Sequence, residues 1–220
     1  VTGTAREAGA QSSFDRPADG PVAGEFGQPH LADRDRPGAA RPGFYAALDL
    51  GGAAFQLDDN VERRFENLDL DLGSTANGGG LALGYSWSNQ FALEIQLFGG
   101  EVSTGNADLE AALADFDVAV RAPLATTARV APYLEGHLGG NVLAFEGEAI
   151  EDRVVIGGAT GIGGGVEVHL SRRFALDFGY RFSVVNYQRE VLETRDGDEE
   201  IDIDGSGRVH RWTVRTGFSF

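Results

Sequence analysis

The chain has 220 residues, enough for one large domain or two small ones with a sizeable core. Its 18 basic residues, all arginine, face 34 acids for a formal charge of -16, a balance that argues against a nucleic-acid partner because phosphate binding needs a positive surface. The absence of cysteine excludes disulfides, thiol nucleophiles and thiolate metal sites, and no apolar run reaches the roughly 18 residues of a transmembrane helix.

Residues 1–43 hold five of the seven prolines, and their apolar side chains (Phe14, Val22, Phe26, Leu31) stand singly, with neither helical nor strand period. The segment is expected to be a disordered leader or linker, rich in Pro, Ala and Gly. The sequence opens without methionine, which suggests removal of a targeting peptide. Ala8-Gly9-Ala10 before Gln11 matches the small-x-small end of a secretory signal. Two readings stay open: residues 1–10 as a signal remnant, or a chance triplet in an Ala/Gly-rich linker.

From Phe44 onward the period is two. Phe44, Ala46, Leu48 and Leu50 share one face, with Tyr45, Ala47 and Asp49 opposite. Leu81, Leu83, Tyr85 and Trp87 follow, then Phe91, Leu93, Ile95 and Leu97 opposite Ala92, Glu94 and Gln96. Phe116, Val118 and Val120 oppose Asp115, Asp117 and Arg121. Val130, Pro132, Leu134 and Leu138 oppose Tyr133, Glu135 and His137. Val166 and Val168 oppose Glu167 and His169. Phe174, Leu176, Phe178, Tyr180 and Phe182 oppose Asp177 and Arg181. Trp212, Val214, Thr216, Phe218 and Phe220 oppose Arg211 and Arg215. That makes eight strands.

Short turns near residues 88–89, 125–127 and 171–172 alternate with long connections over about 56–76, 99–111, 143–157 and 188–207. The long connections carry net charges of -4, -3, -3 and -6. A soluble sandwich would also alternate, but strand length, asymmetric connections and aromatics at strand ends mark a transmembrane barrel, apolar outside and polar inside. The fold expected is all-β: an eight-stranded antiparallel up-and-down transmembrane β-barrel over 44–220, with short periplasmic turns, long acidic extracellular loops and both termini periplasmic. An aromatic girdle is expected from Phe44, Tyr85, Trp87, Phe91, Phe174 and Trp212, with Phe218 and Phe220 at the turn end and Phe55, Phe98, Phe145 and Tyr187 near the loop end.

Eight strands enclose a space that side chains fill. The inward charges are expected to form a lumen ion-pair network of Asp49, Glu94, Asp117, Glu135, His137, Asp177, Arg181, Arg211 and Arg215, because charges sheltered by lipid are costly unless paired. Each of Arg181, Arg211 and Arg215 should contact at least one of these carboxylates.

The stretch 163–182, GGGVEVHLSRRFALDFGYRF, resembles the penultimate hairpin of small outer-membrane β-barrels of the opacity-protein and outer-membrane-protein-A-like superfamily. The ending Val214-Arg215-Thr216-Gly217-Phe218-Ser219-Phe220 is similar to the signal those proteins present to the outer-membrane assembly machinery, with Val214, Phe218 and Phe220 as its apolar positions. The resemblance implies the outer membrane as location, and outer-membrane lipid, lipopolysaccharide and the assembly machinery as partners. It is silent on activity.

Chemistry is sparse. His169-Leu170-Ser171 has the His-x-Ser order of a lipid A deacylase, but Arg172-Arg173 follow and Ser171 falls in a turn. Asp196, Asp198, Glu199, Glu200, Asp202 and Asp204 partly match a calcium loop, yet the twelfth position from Glu200 is Arg211 rather than glutamate. Gly161 to Gly165 lack the helix that a phosphate cradle needs. No cofactor, no metal and no catalytic residue is expected. The function expected is structural or adhesion-like surface binding through the acidic loops to an unidentified partner. A small solute- or ligand-binding or permeation barrel is the alternative, and a lipid A-modifying enzyme stands third.

Overall fold

Eight antiparallel strands pair in sequence order, and the last closes on the first. The computed structural model describes residues 42–66, 72–87, 91–104, 109–124, 129–147, 152–194 and 197–220. The leader and its signal-like triplet lie outside the described residues. The strands are β1 (Gly43–Leu57), β2 (Leu72–Trp87), β3 (Phe91–Thr104), β4 (Leu109–Pro123), β5 (Val130–Gly147), β6 (Asp152–His169), β7 (Phe174–Thr194) and β8 (Gly197–Ser219). Among the described residues one helix, α1 (Asp59–Glu66), lies between β1 and β2, where the sequence reads as a loop. Asp58 caps it, its Oδ1 accepting from the backbone N–H groups of Asn60 and Val61.

Parity sets inside and outside. Leu48, Leu50, Leu83, Ile95, Leu134, Leu138, Ile162 and Phe178 are exposed, whereas Asp49, Glu94, Asp117, Arg181, Arg211 and Arg215 are buried within the barrel. An exposed aliphatic wall around a charged interior is the reverse of a water-soluble barrel and suits lipid outside.

The acidic end corrects two expectations. The segments read as long loops are largely strand: β3 runs to Thr104 before β4 starts at Leu109, and β7 reaches Thr194 before β8 starts at Gly197. Only the connection holding α1 is long. These extensions keep the period of two with its polarity reversed, so a template of apolar-outward strands misses them. On β8, Asp202 and Asp204 are exposed while Ile203 packs on the core. The second correction concerns Phe55, Phe98, Phe145 and Tyr187, which belong to no girdle. All four are buried in the barrel, and Phe55, Phe145 and Tyr187 join Val61, Leu113, Leu143, Val155 and Val185 in one apolar cluster.

The barrel therefore has two zones. At the turn end its outside is apolar and its inside charged; at the acidic end the outside is polar and the inside apolar. The switch falls where outward positions change to Gln56, Asn77, Glu101, Glu110 and Glu146, all exposed. About ten residues of strand lie below it, the length that crosses a bilayer. Above it the sheet meets water and folds around an ordinary hydrophobic core.

The expected girdle residues divide. Phe44, Tyr85, Trp87, Phe91 and Phe174 stand at the turn end, where Phe44 and Tyr85 meet edge to face at 4.9 Å and Phe174 meets Phe218 at 5.1 Å. Trp212 stands eight residues above Phe220, opposite Gly52 and Tyr180, with its indole lying across Gly52 on the outer wall.

Candidate functional site

The lumen holds one connected polar network. Arg215 reaches Asp49 (Nε–Oδ1 2.6 Å, Nη2–Oδ2 2.9 Å) and Glu94 (Nη1–Oε1 2.7 Å). Arg181 pairs with Glu135 and with Asp117 at 3.2 Å, and its Nη2 lies 3.7 Å from Glu94. Arg211 donates to Asp117 at 2.7 Å and to Asp115 at 2.9 Å. The fourth cation, Arg121, donates to Asp177 at 2.6 Å and lies within 3.8 Å of Glu94, Glu135 and Glu167, with its guanidinium 4.0 Å over the Tyr133 ring. His137 is buried in the same lumen, its Nε2 2.8 Å from the Ser183 hydroxyl.

Several members lay outside the expected set. Arg121 and Asp115 are charged and on the inward parity, so the alternation that found Arg181 identifies them equally. Tyr45, which donates to Glu94 at 2.8 Å, and Tyr133, which donates to Asp177 at 2.8 Å, share the same inward parity, although nothing in the sequence names their partners. Asn141 donates to Asp115 at 2.6 Å and accepts from the Tyr187 hydroxyl at 3.0 Å. Tyr187 thus joins the charged zone to the apolar cap above it.

Glycine on β6 makes the room. Its inward positions from Gly157 to Gly165 hold nothing larger than Ala159. A Cβ at Gly161 would sit 2.8 Å from His137 Nε2, at Gly163 2.9 Å from Glu135 Oε1, and at Gly165 2.6 Å from the Tyr133 hydroxyl. The large polar side chains of β5 and β7 occupy space that β6 vacates.

The acidic-end mouth is filled. Asp58 Oδ2 accepts from the Ser206 N–H at 2.6 Å and its hydroxyl at 2.9 Å, which ties the start of α1 to β8. Val61 then points down onto Gly205, where a Cβ would sit 2.2 Å from Val61 Cγ2. Burial pushes the Asp58 carboxyl up, but the donated hydrogen bonds of Val61, Ser206 and Asn60 outweigh it and hold the group below the ordinary aspartate value.

At the other end, Ser171 Oγ accepts from the backbone N–H groups of Arg173 (3.3 Å) and Phe174 (3.1 Å). It braces a turn. His169 Nδ1 lies 3.3 Å from Glu167. Among the described residues no cluster of His, Asp or Glu is arranged to hold a metal. Val214 on β8 and Phe220 just past its end are exposed, and Phe218 is half-buried against its aromatic neighbours.

An apolar outer wall about ten residues tall around a closed, charged eight-stranded interior defines a membrane-spanning β-barrel. The outer membrane protein beta-barrel domain family matches residues 22–220, and the chain belongs to that family. It is an outer-membrane barrel. Among solved structures, Neisserial surface protein A is similar at 16% identity and a TM-score of 0.57, covering 80% of this chain and 97% of that one. The outer membrane protein OprG of Pseudomonas aeruginosa is similar at 12% identity and a TM-score of 0.52, covering 84% of this chain and 99% of that one. At these identities the likeness is one of fold. No curated protein matches the chain.

Proposed function

We propose that the protein is a non-enzymatic outer-membrane barrel whose work, structural or adhesion-like, is done by its acidic end, held on a sealed lumen. One observation carries the reading: the charged network ends against an apolar cap of Tyr187, Phe145, Leu143, Leu113 and Val61. A lumen filled by side chains and closed by an apolar layer has no water path. The first strand begins and the last strand ends at the turn side, where the Phe220 N–H donates to Phe44 O, so the chain enters and leaves the barrel on the periplasmic side if turns face the periplasm as is usual. The acidic end then projects from the cell and meets an unidentified partner. Outer-membrane lipid and lipopolysaccharide cover the wall, and Val214, Phe218 and Phe220 form the face offered to the assembly machinery.

The chain contains no cysteine, so Asp204→Cys introduces a single thiol at the acidic end. An impermeant maleimide should label it on intact cells. Labelling only after lysis overturns the orientation. Liposomes holding the purified protein should swell at background rate, and solute flux like that of a wide porin overturns the seal.

A second reading, a ligand-binding barrel, has one observation in its favour. A recess of about 590 Å³ opens near Gly79, Gly99, Ala114 and Gly140, between Leu97 and Phe116. It opens on the apolar wall and would take an apolar ligand. Saturable binding of an alkyl probe, lost in Gly99→Leu, would favour that reading.

A further inference from the structure

We propose that copies of this chain pack side by side in the membrane, the aromatic face of one barrel on β7 and β8 seating in the bare recess on β2 to β5 of the next. The proposal rests on the barrel spanning a membrane, not on what its acidic end meets outside the cell.

The receiving face has two tiers. In the apolar band the recess of about 590 Å³ is lined by Gly79, Gly99, Ala114 and Gly140, with Leu97 and Phe116 beside them. Small residues on a wall let a second wall approach closely, which is how proteins associate in lipid. Two residues further along β3 and β4, a second recess of about 370 Å³ is lined by Glu101, Glu110 and Glu146, with Ala112 and Ala144. Glu110 is the direct cross-strand partner of Glu146 and both are exposed, a pairing of like charges that destabilises a sheet. The connections next to them, residues 105–108 and 148–151, contain no basic residue. A cation brought from outside relieves the repulsion.

The complement stands across the barrel, since β7 and β8 lie four strands from β3 and β4 in the closed order. On that face Phe178, Tyr180 and Trp212 are 52%, 48% and 46% exposed. The Tyr180 hydroxyl lies 2.6 Å from His210 Nδ1, the Phe182 ring stands 5.1 Å from the His210 ring, and the Trp212 indole rests on Gly52. The face is therefore already ordered, and contact costs it little side-chain freedom. Above these rings Arg208 is exposed.

A planar bilayer lets two copies inserted the same way meet only at equal depth, and both tiers match in depth. Counted from the aromatic residue at the turn end of each strand, Gly99 is eight residues from Phe91 and Gly79 eight from Trp87. Trp212 is likewise eight from Phe220, and Phe182 eight from Phe174. Glu101 is ten from Phe91 and Arg208 twelve from Phe220, both just above the apolar band. One contact thus lays aromatic rings on the bare wall and brings a guanidinium to the three glutamates. Contact between two like faces does neither, because it sets glutamate against glutamate or ring ridge against ring ridge. With the two faces on opposite sides, the contact repeats as an open row and does not close a pair.

The chain contains no cysteine, so Asn186→Cys on the aromatic side and Ala112→Cys on the glutamate side each give one exposed thiol. These two variants of the full chain are refolded in phosphatidylcholine vesicles, separately and mixed, and oxidised. The unlike pair should cross-link well above either like pair. Gly99→Leu or Ala114→Leu in the A112C copy fills the recess and should cut the yield roughly tenfold, the scale of overpacking a close contact. Arg208→Glu in the N186C copy should cut it roughly fivefold, the upper range for an exposed ion pair, and Glu110→Arg in the A112C copy should then restore it. The gel shift between folded and heat-unfolded protein checks that each variant has folded, and should neither leucine variant do so, the charge exchange alone decides. Equal yields from like and unlike pairs, the result of random collision, overturn the proposal, as does a yield that neither the leucine variants nor the charge exchange alters. An alkyl probe that saturates the recess while the unlike cross-link persists puts lipid in the recess and overturns it too.

Discussion

Arg215 on β8 and Asp49 on β1 are direct cross-strand partners at the seam that closes the barrel, joined by two parallel hydrogen bonds of 2.6 and 2.9 Å. The same guanidinium holds Glu94 from β3, so one side chain links the closing pair to the far wall. Arg215→Ala would take from buried Asp49 the cation that grips it and leave Glu94 only its longer contacts with Arg121 and Arg181, and should destabilise the barrel by about 3–5 kcal/mol. Arg215→Lys keeps the charge but loses the fork and should fall in between. Urea unfolding in vesicles, followed by the gel shift between folded and heat-unfolded protein, measures both.

The polarity switch locates the bilayer. Leu48→Arg places a charge on the outer wall within the apolar band and should cost about 2–4 kcal/mol. Asn77→Arg faces outward above the band and should cost about 0–1 kcal/mol. Equal costs in the same unfolding assay would remove the boundary drawn here.

The glycines divide by what surrounds them. A Cβ at Gly84 would lie 2.3 Å from the Tyr45 ring, so Gly84→Ala forces that side chain off Glu94 and should cost about 1–3 kcal/mol. Nothing lies within 4 Å of a Cβ at Gly136 or Gly158. Alanine there should be neutral or stabilise by about 0.4–1 kcal/mol, by narrowing the unfolded chain's freedom.

Acid should loosen the cap of the mouth. Because the Asp58 carboxyl is held below its ordinary value when folded, its contribution is complete above the unfolded aspartate pKa and is lost as pH falls through the lowered folded one. Asp58→Ala removes that contribution at neutral pH. The Asn60 and Val61 amide resonances should therefore differ between native protein and variant near neutrality and converge in strong acid. A difference that persists below the folded pKa would show that Asp58 acts otherwise.

Strand number, the inside and outside of each strand in the membrane band, and the inward direction of Asp49, Glu94, Arg181 and Arg215 were legible because alternation is local and the pleat converts it directly into two faces. Strand length, asymmetric connections and aromatics at strand ends point to a membrane, and the family resemblance of the penultimate hairpin and final strand makes it the outer membrane. What alternation cannot tell is the solvent outside. Above Gln56 and Glu101 the same period continues with its polarity reversed, and the extensions that turn Phe145 and Ile203 toward the core read in the sequence as acidic loops. Which charge meets which is equally nonlocal. Arg121 binds Asp177 across 56 residues of chain and Arg211 binds Asp117 across 94, because register and closure bring β4 opposite β7 and β8. Helix α1 was invisible for a related reason: eight residues are too few to hold a helix by propensity, and it exists where Asp58 caps it against Ser206 and Val61 finds the barrel's mouth. The sequence alone determined the faces. The tertiary structure decided where lipid ends, which partners the buried charges share and what seals the lumen, since each depends on groups brought together only when the eighth strand meets the first.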